Sequence, residues 1–575
     1  MSGVGYRQLW AADPAGWRAA GTAWAGLTGP VDRYAGELAG AAGRLRGGWS
    51  GVAATAADGR LGGLRDELTS VAPALIEADQ ALAELARQLT VAKAQLAEAV
   101  TRAEAAGLAV DRNGDVRMDS AQPASAGVPA PGSSAPGSGA GVGAPAGAGN
   151  GGAAGGALAG AATASAAGVG AGAAAGIAAA GVAAALRTAI GRADAADRAA
   201  ADRLAELTRS AGTGWASPPP PGRPAAGASP PVVRAWWSGL TPAQRRWLVG
   251  HEPALVGGLD GVPVAARDQA NRLLLGARRE ELLIERRRLL ARVPPGPLES
   301  VRLRAVAGRL AGLDALTERL AGGAPRAYLL GLDPTGEGRV VVALDDPDHA
   351  DQVLTYVPGM TAGLDDAPGE LGRAARVLER CAALVPGERS AAVLWLDYDA
   401  PDFLTEAASA SQARDAGPAL HRFQEGLRAT HEGPPARQTV LGHSYGSLVV
   451  GMAAREHGLA ADALMFVGSP GVGVAHADEL GIPAGQVWAS SAPDDVIRLA
   501  RPVDELVRPA VLGAAPLAAV LGWPDRTGHE LWFGHDPADA GFGGRVFSSG
   551  RGGHAGYWEP DNPALDGMAR VVLGR

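Results

Sequence analysis

Thr439-Val-Leu-Gly-His-Ser-Tyr-Gly-Ser-Leu-Val-Val-Gly451 holds a Gly-x-Ser-x-Gly pentapeptide, Gly442, Ser444 and Gly446, between a strand-like run and a helix-like one. This pattern reads as a nucleophile elbow, in which a serine caps a sharp, strained turn at the end of a buried parallel strand. Glycines two residues to either side remove the Cβ atoms that would collide where strand and helix pass closely. The turn also aims the Tyr445 N–H and the start of the following helix at the point where an oxyanion would form. His443, inside the pentapeptide, is read as structural, its side chain pointing away from the elbow.

Around this stretch, short apolar runs alternate with helical ones. The runs are 327–332, 340–344, 353–357, 391–396, 439–441, 464–468, 487–490 and 545–547, and helical patterns cover 369–385, 410–428 and 445–457. Strand, helix, strand at this spacing predicts a doubly wound, mostly parallel sheet with an early hairpin. With the elbow after the fifth run, the layout is that of an α/β-hydrolase.

An acyl-transfer serine needs a base, an orienting acid and an oxyanion site, and in this fold the chain order is Ser, acid, His. His554 lies in the glycine-rich stretch Ser549-Gly-Arg-Gly-Gly-His-Ala-Gly-Tyr557, past the last run, and is the preferred base; His529 and His535 are fallbacks. Val487-Trp-Ala-Ser-Ser-Ala-Pro-Asp-Asp-Val-Ile497 offers two aspartates at a strand's end, Asp495 preferred and Asp494 the alternative acid. For the oxyanion hole, Tyr356-Val-Pro-Gly-Met-Thr361 supplies a strand-to-loop turn in which the Met360 N–H, beside Gly359, joins that of Tyr445.

The stretches Gly258 to Arg272 (Gly-Leu-Asp-Gly-Val-Pro, then Arg267-Asp268 and Ala270-Asn271-Arg272), Tyr356-Val-Pro-Gly359, Trp395-Leu-Asp-Tyr-Asp-Ala-Pro401, Gly442-His-Ser-Tyr-Gly-Ser447, Gly468-Ser-Pro-Gly471 and Gly553-His-Ala-Gly-Tyr557 together resemble an actinobacterial α/β-hydrolase family known as a domain of unknown function. The likeness runs from about residue 236 to 560. It implies a Ser, Asp, His triad, carried onto Ser444, Asp495 (or Asp494) and His554, and no particular substrate. Asp397 departs from the small residue expected in the Trp-Leu-x-Tyr motif.

A chain of 575 residues exceeds what one core usually supports, and 84 glycines, 41 prolines and 5% aromatic residues place much of its apolar content in low-complexity sequence. The divisions expected are a helical-hairpin domain with a short β-hairpin at 1–118, an Ala/Gly/Pro-rich linker at 119–176, a helix at 177–213, a Pro-rich linker at 214–231, a helical region at 232–322 and the catalytic domain at 323–575. In the first of these, Arg46-Gly-Gly-Trp-Ser-Gly51 breaks the helical pattern, and Trp49 is placed to close the end of a hairpin. With Trp49 and Gly51 on a Trp-x-Gly motif, this region resembles the helical-hairpin substrates of type VII secretion. The Tyr-x-x-x-Asp/Glu export signal usually paired with such hairpins is not found after the second helix. Asn113-Gly114 predicts a two-residue hairpin turn.

A net charge of −8 gives no basic footprint for nucleic acid. The uncharged Ala/Gly run at 151–186 has the length of a membrane span, but alanine and glycine contribute too little transfer free energy for one to be expected. Cys381, the sole cysteine, rules out an intrachain disulfide and a cysteine-based metal cluster and is read as core filler. No metal or organic cofactor is implied. The N-terminus shows no Sec-type signal peptide, so the expected location is the cytoplasm or outside the cell by a type VII-like route. Two functions follow. One is a serine hydrolase of carboxylic esters, lipid or small acyl, with peptidase and thioesterase chemistry still open. The alternative is a catalytically idle hydrolase-fold protein whose helical hairpin engages a helical partner or the secretion machinery.

Overall fold

The computed structural model describes residues 4–118, 159–213, 220, 222–291, 296–322, 324–333, 335, 338–360, 362–401, 407–499 and 530–575. The chain divides into two compact units, one formed by Met1–Arg18 with Glu84–Asp202, the other by Ala19–Ala83 with Arg203–Arg575.

The larger unit is built on an eight-stranded sheet. Its strands are β1 (Ala327–Asp333), β2 (Arg339–Leu344), β3 (Gln352–Val357), β4 (Ser390–Leu396), β5 (Arg437–His443), β6 (Ala463–Val467), β7 (Val487–Ser490) and β8 (Arg545–Val546), in spatial order β8-β7-β6-β5-β3-β4-β2-β1. The β1–β2 and β2–β4 pairs are antiparallel and the others parallel. Near-continuous apolar runs such as Ala391-Ala-Val-Leu-Trp-Leu396 suit strands covered on both faces. Helices Ala367–Leu384, Ser411–Thr430, Tyr445–His457 and Pro563–Val572 supply that cover. This is the α/β-hydrolase fold, with β5 beside β3 so that the C-terminal ends of both strands meet at one edge.

The stretch from Gly258 to Arg272 braces this scaffold. Helix Val264–Leu290 is tied to β1 through Asp268, fully buried, which accepts from Leu329 N–H at 2.8 Å and Arg272 Nε at 2.8 Å. Asn271 Nδ2 donates to Leu329 O at 3.1 Å, and Arg267 Nε to Leu330 O at 3.0 Å. Gln80 Nε2 also reaches Asp268, at 3.0 Å. Asp268 is thus buried but satisfied by donors, as a buried charge must be. Thr241 caps helix Pro242–His251 in a reciprocal box with Gln244, and Trp237 is buried among Val233, Leu248 and Val256, with Trp236 and Trp247 packed alongside. Arg286, Arg287 and Arg288 are solvent-exposed.

The smaller unit is helical, with a core of small residues. Leu85, Leu89, Ala92, Leu96, Ala99 and Ala103 of helix Val52–Ala105 pack with Val182, Leu186, Ala189 and Ala193 of helix Ala159–Thr213, spaced three and four apart as one face of each helix requires. Leu108–Val110 pairs antiparallel with Val116–Met118.

Two expectations from the sequence are corrected. The hairpin turn is longer than the two residues predicted: Asp111 N–H donates to Asp115 O, and the Asp111 carboxylate accepts from Asn113 and Asp115 N–H, so an Asx-type turn sets the loop with Gly114 at φ +90°. The helix expected from 177 begins at Ala159, because alanine, the best helix former, outweighs its interspersed glycines. Trp49 follows the end of helix Thr28–Gly48, three residues before helix Val52–Ala105 begins, and is 47% exposed. Among the described residues, no helix is long and apolar enough to cross a membrane.

Candidate active site

β5 ends at His443, and Ser444 follows with φ 54° and ψ −129°, a conformation that costs a non-glycine residue about 1–3 kcal/mol. The neighbours hold it there. Ser444 N–H donates to Val467 O of β6 at 3.1 Å, and helix Tyr445–His457 starts at the next residue. A Cβ on Gly442 would lie 2.6 Å from Ser447 Cα, and one on Gly446 only 2.2 Å from Val357 O. Both elbow positions therefore require glycine.

The turn after β3 lies against the serine. A Cβ at Gly359 would stand 2.5 Å from Ser444 Cβ and 3.0 Å from its Oγ, and the turn is held by Tyr398, whose hydroxyl donates to Pro358 O at 2.6 Å. The backbone at Gly359 thus lies directly against Ser444, with Met360 the next residue along, and Tyr445 is the first residue of the helix that follows the serine. The Tyr445 side chain turns away into the scaffold, donating to Ser409 O at 2.6 Å.

His554 sits in the short turn Gly553–Trp558. Its Nδ1 lies 2.9 Å from Asp495 Oδ1 and 3.0 Å from Oδ2. A carboxylate only accepts, so Nδ1 carries the proton and Nε2 keeps its lone pair. Asp495 has a fully buried side chain and also accepts from Ile497 N–H at 2.9 Å and the Tyr557 hydroxyl at 2.5 Å. Burial pushes its carboxyl up, but the hydrogen bonds from His554 and Tyr557, the imidazole's charge and the Ile497 N–H outweigh that, and the group is held below its ordinary value. Gly468 lies beside this pair: a Cβ there would fall 2.9 Å from Asp495 Oδ2 and 3.3 Å from His554 Cε1. The hydrogen bonds of the His554 side chain run to Asp495, and none among the described residues joins it to the Ser444 hydroxyl.

The structure separates the two aspartates. Asp494 is exposed and accepts from Gly552 N–H at 3.1 Å, a contact that lowers its pKa and anchors the loop carrying His554. His535 faces Asp539 at 3.0 Å, and His529 lies outside the described residues. Asp397, at the end of β4, is half-buried and its carboxyl is raised by burial. Cys381 is buried in the core, its thiol pushed up to about 12 mainly by burial. No group of three or more His, Cys, Asp or Glu side chains arranged to hold a metal occurs among the described residues.

Sequence reasoning assigns Tyr557 no role, yet it belongs to the site. Its hydroxyl accepts from Ala492 N–H at 2.8 Å and donates to Asp495, so it fixes the carboxylate from behind. Only its place three residues after His554 in Gly-His-Ala-Gly-Tyr hints at this.

A family model described as Alpha/beta hydrolase matches residues 333–504. An uncharacterized protein of Mycobacterium bovis is 34% identical over 191 residues, which make up 31% of this chain and 71% of that relative. The chain belongs to this α/β-hydrolase family. An uncharacterized protein of Mycobacterium tuberculosis is 30% identical over 382 residues, 62% of this chain, and the α/β-hydrolase chain spans 56% of that relative's length. Among solved structures, an esterase of Pyrobaculum calidifontis matches over 51% of this chain and 96% of its own, at 12% identity and a TM-score of 0.24. The fold assignment rests on the strand order and the family match.

Proposed function

We propose that the protein is a serine hydrolase of carboxylic esters, lipid or small acyl, with Ser444 as nucleophile, His554 as base and Asp495 as the acid that orients it. The observation that carries this reading is the double contact of His554 Nδ1 with the buried Asp495 carboxylate, set beside a serine in strained elbow geometry. His554 Nε2 takes the Ser444 proton as Oγ attacks the ester carbonyl, and the resulting oxyanion rests on the N–H groups of Tyr445 and Met360. Collapse of the tetrahedral intermediate breaks the bond to the alcohol, which leaves with the proton held by His554. Water, deprotonated by the same imidazole, then attacks the acyl-enzyme and releases the acid and Ser444. Asp495 stays ionised throughout and stabilises the imidazolium.

The test is turnover of p-nitrophenyl esters of rising acyl length, alongside a thioester and a peptide amide. Ester turnover that Ser444→Ala abolishes supports the reading. Amide or thioester cleavage without ester cleavage overturns the substrate class, and no turnover of any of them by folded protein favours an idle hydrolase fold. That second reading has its own observation, the half-exposed indoles of Trp10, Trp17, Trp24 and Trp49, which suit a role of the N-terminal helices in binding a partner or the export machinery.

A further inference from the structure

His443 is buried directly before the nucleophile, and the ester-hydrolase mechanism above gives it no task. Its Nε2 lies 3.0 Å from the main-chain carbonyl oxygen of His554. A carbonyl only accepts, so Nε2 carries the proton and donates. The two imidazoles stand 4.8 Å apart, centroid to centroid, and Trp558 meets the His443 ring edge-on at the same distance. Burial first, and then the neighbouring His554 and Arg373, hold His443 far below its ordinary value, at about 3. It is therefore neutral wherever a base at His554 operates.

We propose that His443 is a positioning residue for the base, fastening the backbone of His554 to the strand that carries Ser444. This rests on the proposed roles of Ser444 and His554. β5 delivers the nucleophile directly past its last residue, whereas the base arrives on a loop more than a hundred residues later in the chain, at position 554 against 444. A hydrogen bond from the residue adjoining the nucleophile to the base's own carbonyl fixes the spacing between the two reacting groups. Asp495 sets the rotation of the ring, and His443 sets the position of its backbone. A neutral imidazole suits this place, because a charged one would oppose the imidazolium that forms on His554 as the serine proton moves.

The experiment uses the full chain and a fluorophosphonate probe, recording both the rate constant of labelling and the fraction of protein labelled at completion. His443→Leu, which keeps bulk but removes the donor, is expected to slow labelling by about tenfold to a hundredfold while the end point stays near that of the wild type. His443→Gln, whose amide N–H can reach the same carbonyl, is expected to recover the rate to within about fivefold of wild type, because it restores the donor. Should His443→Leu not fold, His443→Asn, which is too short to reach, takes its place with the same expected slowing. Three results would overturn the proposal: wild-type rates in Leu or Asn, equal slowing in Gln and Leu, or a reduced end point at an unchanged rate, which marks a packing role. Failure of the parent reading looks different, as the wild type itself would not label or Ser444→Ala would label as well.

Discussion

The two units bury different kinds of surface. In the smaller one, two long helices meet through alanines, with Leu85, Leu89, Leu96 and Leu186 as the large side chains, so each turn removes little apolar area from water. In the larger one, Trp395, Tyr356, Tyr445, Phe466, Tyr557 and Trp558 are fully buried around the sheet, and three of these six, Tyr356, Tyr445 and Tyr557, also fasten neighbouring segments through their hydroxyls. Precision is kept where the packing is dense. A thin alanine face is enough to hold two helices in register, while a serine held at φ 54° needs a densely packed surround to over-determine it.

The sharpest way to break this contrast is Gly446→Ala. Its Cβ would meet the Val357 carbonyl at 2.2 Å, and backbone cannot yield as a side chain would. A loss of about 3 kcal/mol or more in unfolding free energy is expected, with ester turnover reduced by at least about a hundredfold. Leu186→Ala probes the other unit: it should cost about 2–5 kcal/mol in the melting of the helical unit and leave the rate of ester hydrolysis unchanged, as read by calorimetry and turnover on the same sample. If turnover falls with it, the two units do not divide the labour in this way.

Acid sharpens the comparison further. His443 has a folded pKa of about 3 against about 6.5 unfolded, so between these values the unfolded chain binds more protons and stability rises with pH. The contribution is present above pH ~6.5 and lost as pH falls toward about 3, on the order of 5 kcal/mol in the sheet unit. Denaturant titrations over this range should show a shallower pH dependence for His443→Gln than for wild type. The smallest effect is that of Tyr557→Phe, which leaves Asp495 and His554 in place but removes one donor to the carboxylate. It should lower turnover by roughly tenfold and stability by about 1–2 kcal/mol.

Much of the sheet is legible in the sequence because a parallel strand covered on both faces must be a short apolar run. Runs such as Ala391–Leu396 stand out against the charged helices between them. The elbow is equally legible, since the close passage of backbone at Gly442 and Gly446 admits only one residue type. Which long-range partner each polar group takes is not legible. Asp494 and Asp495 are chemically identical neighbours, and only the fold turns one toward His554 and the other toward Gly552 N–H. His443 looks inert in the sequence because the carbonyl that it meets is far along the chain. The motif from Gly258 to Arg272 carries charged residues that resemble site chemistry, yet Asp268 and Asn271 spend their hydrogen bonds on β1. In the helical unit the Asn113-Gly114 dipeptide does not set the turn, because the preceding Asp111 captures the loop's N–H groups first.

The most direct test of the central claim is to label the purified protein with a fluorophosphonate and locate the adduct by peptide mass spectrometry in wild type, Ser444→Ala and His554→Ala. The expected result is a single adduct on Ser444, absent in Ser444→Ala and formed at least about a thousandfold more slowly in His554→Ala. Labelling that is unaffected by the loss of His554, or an adduct on another residue, would contradict it.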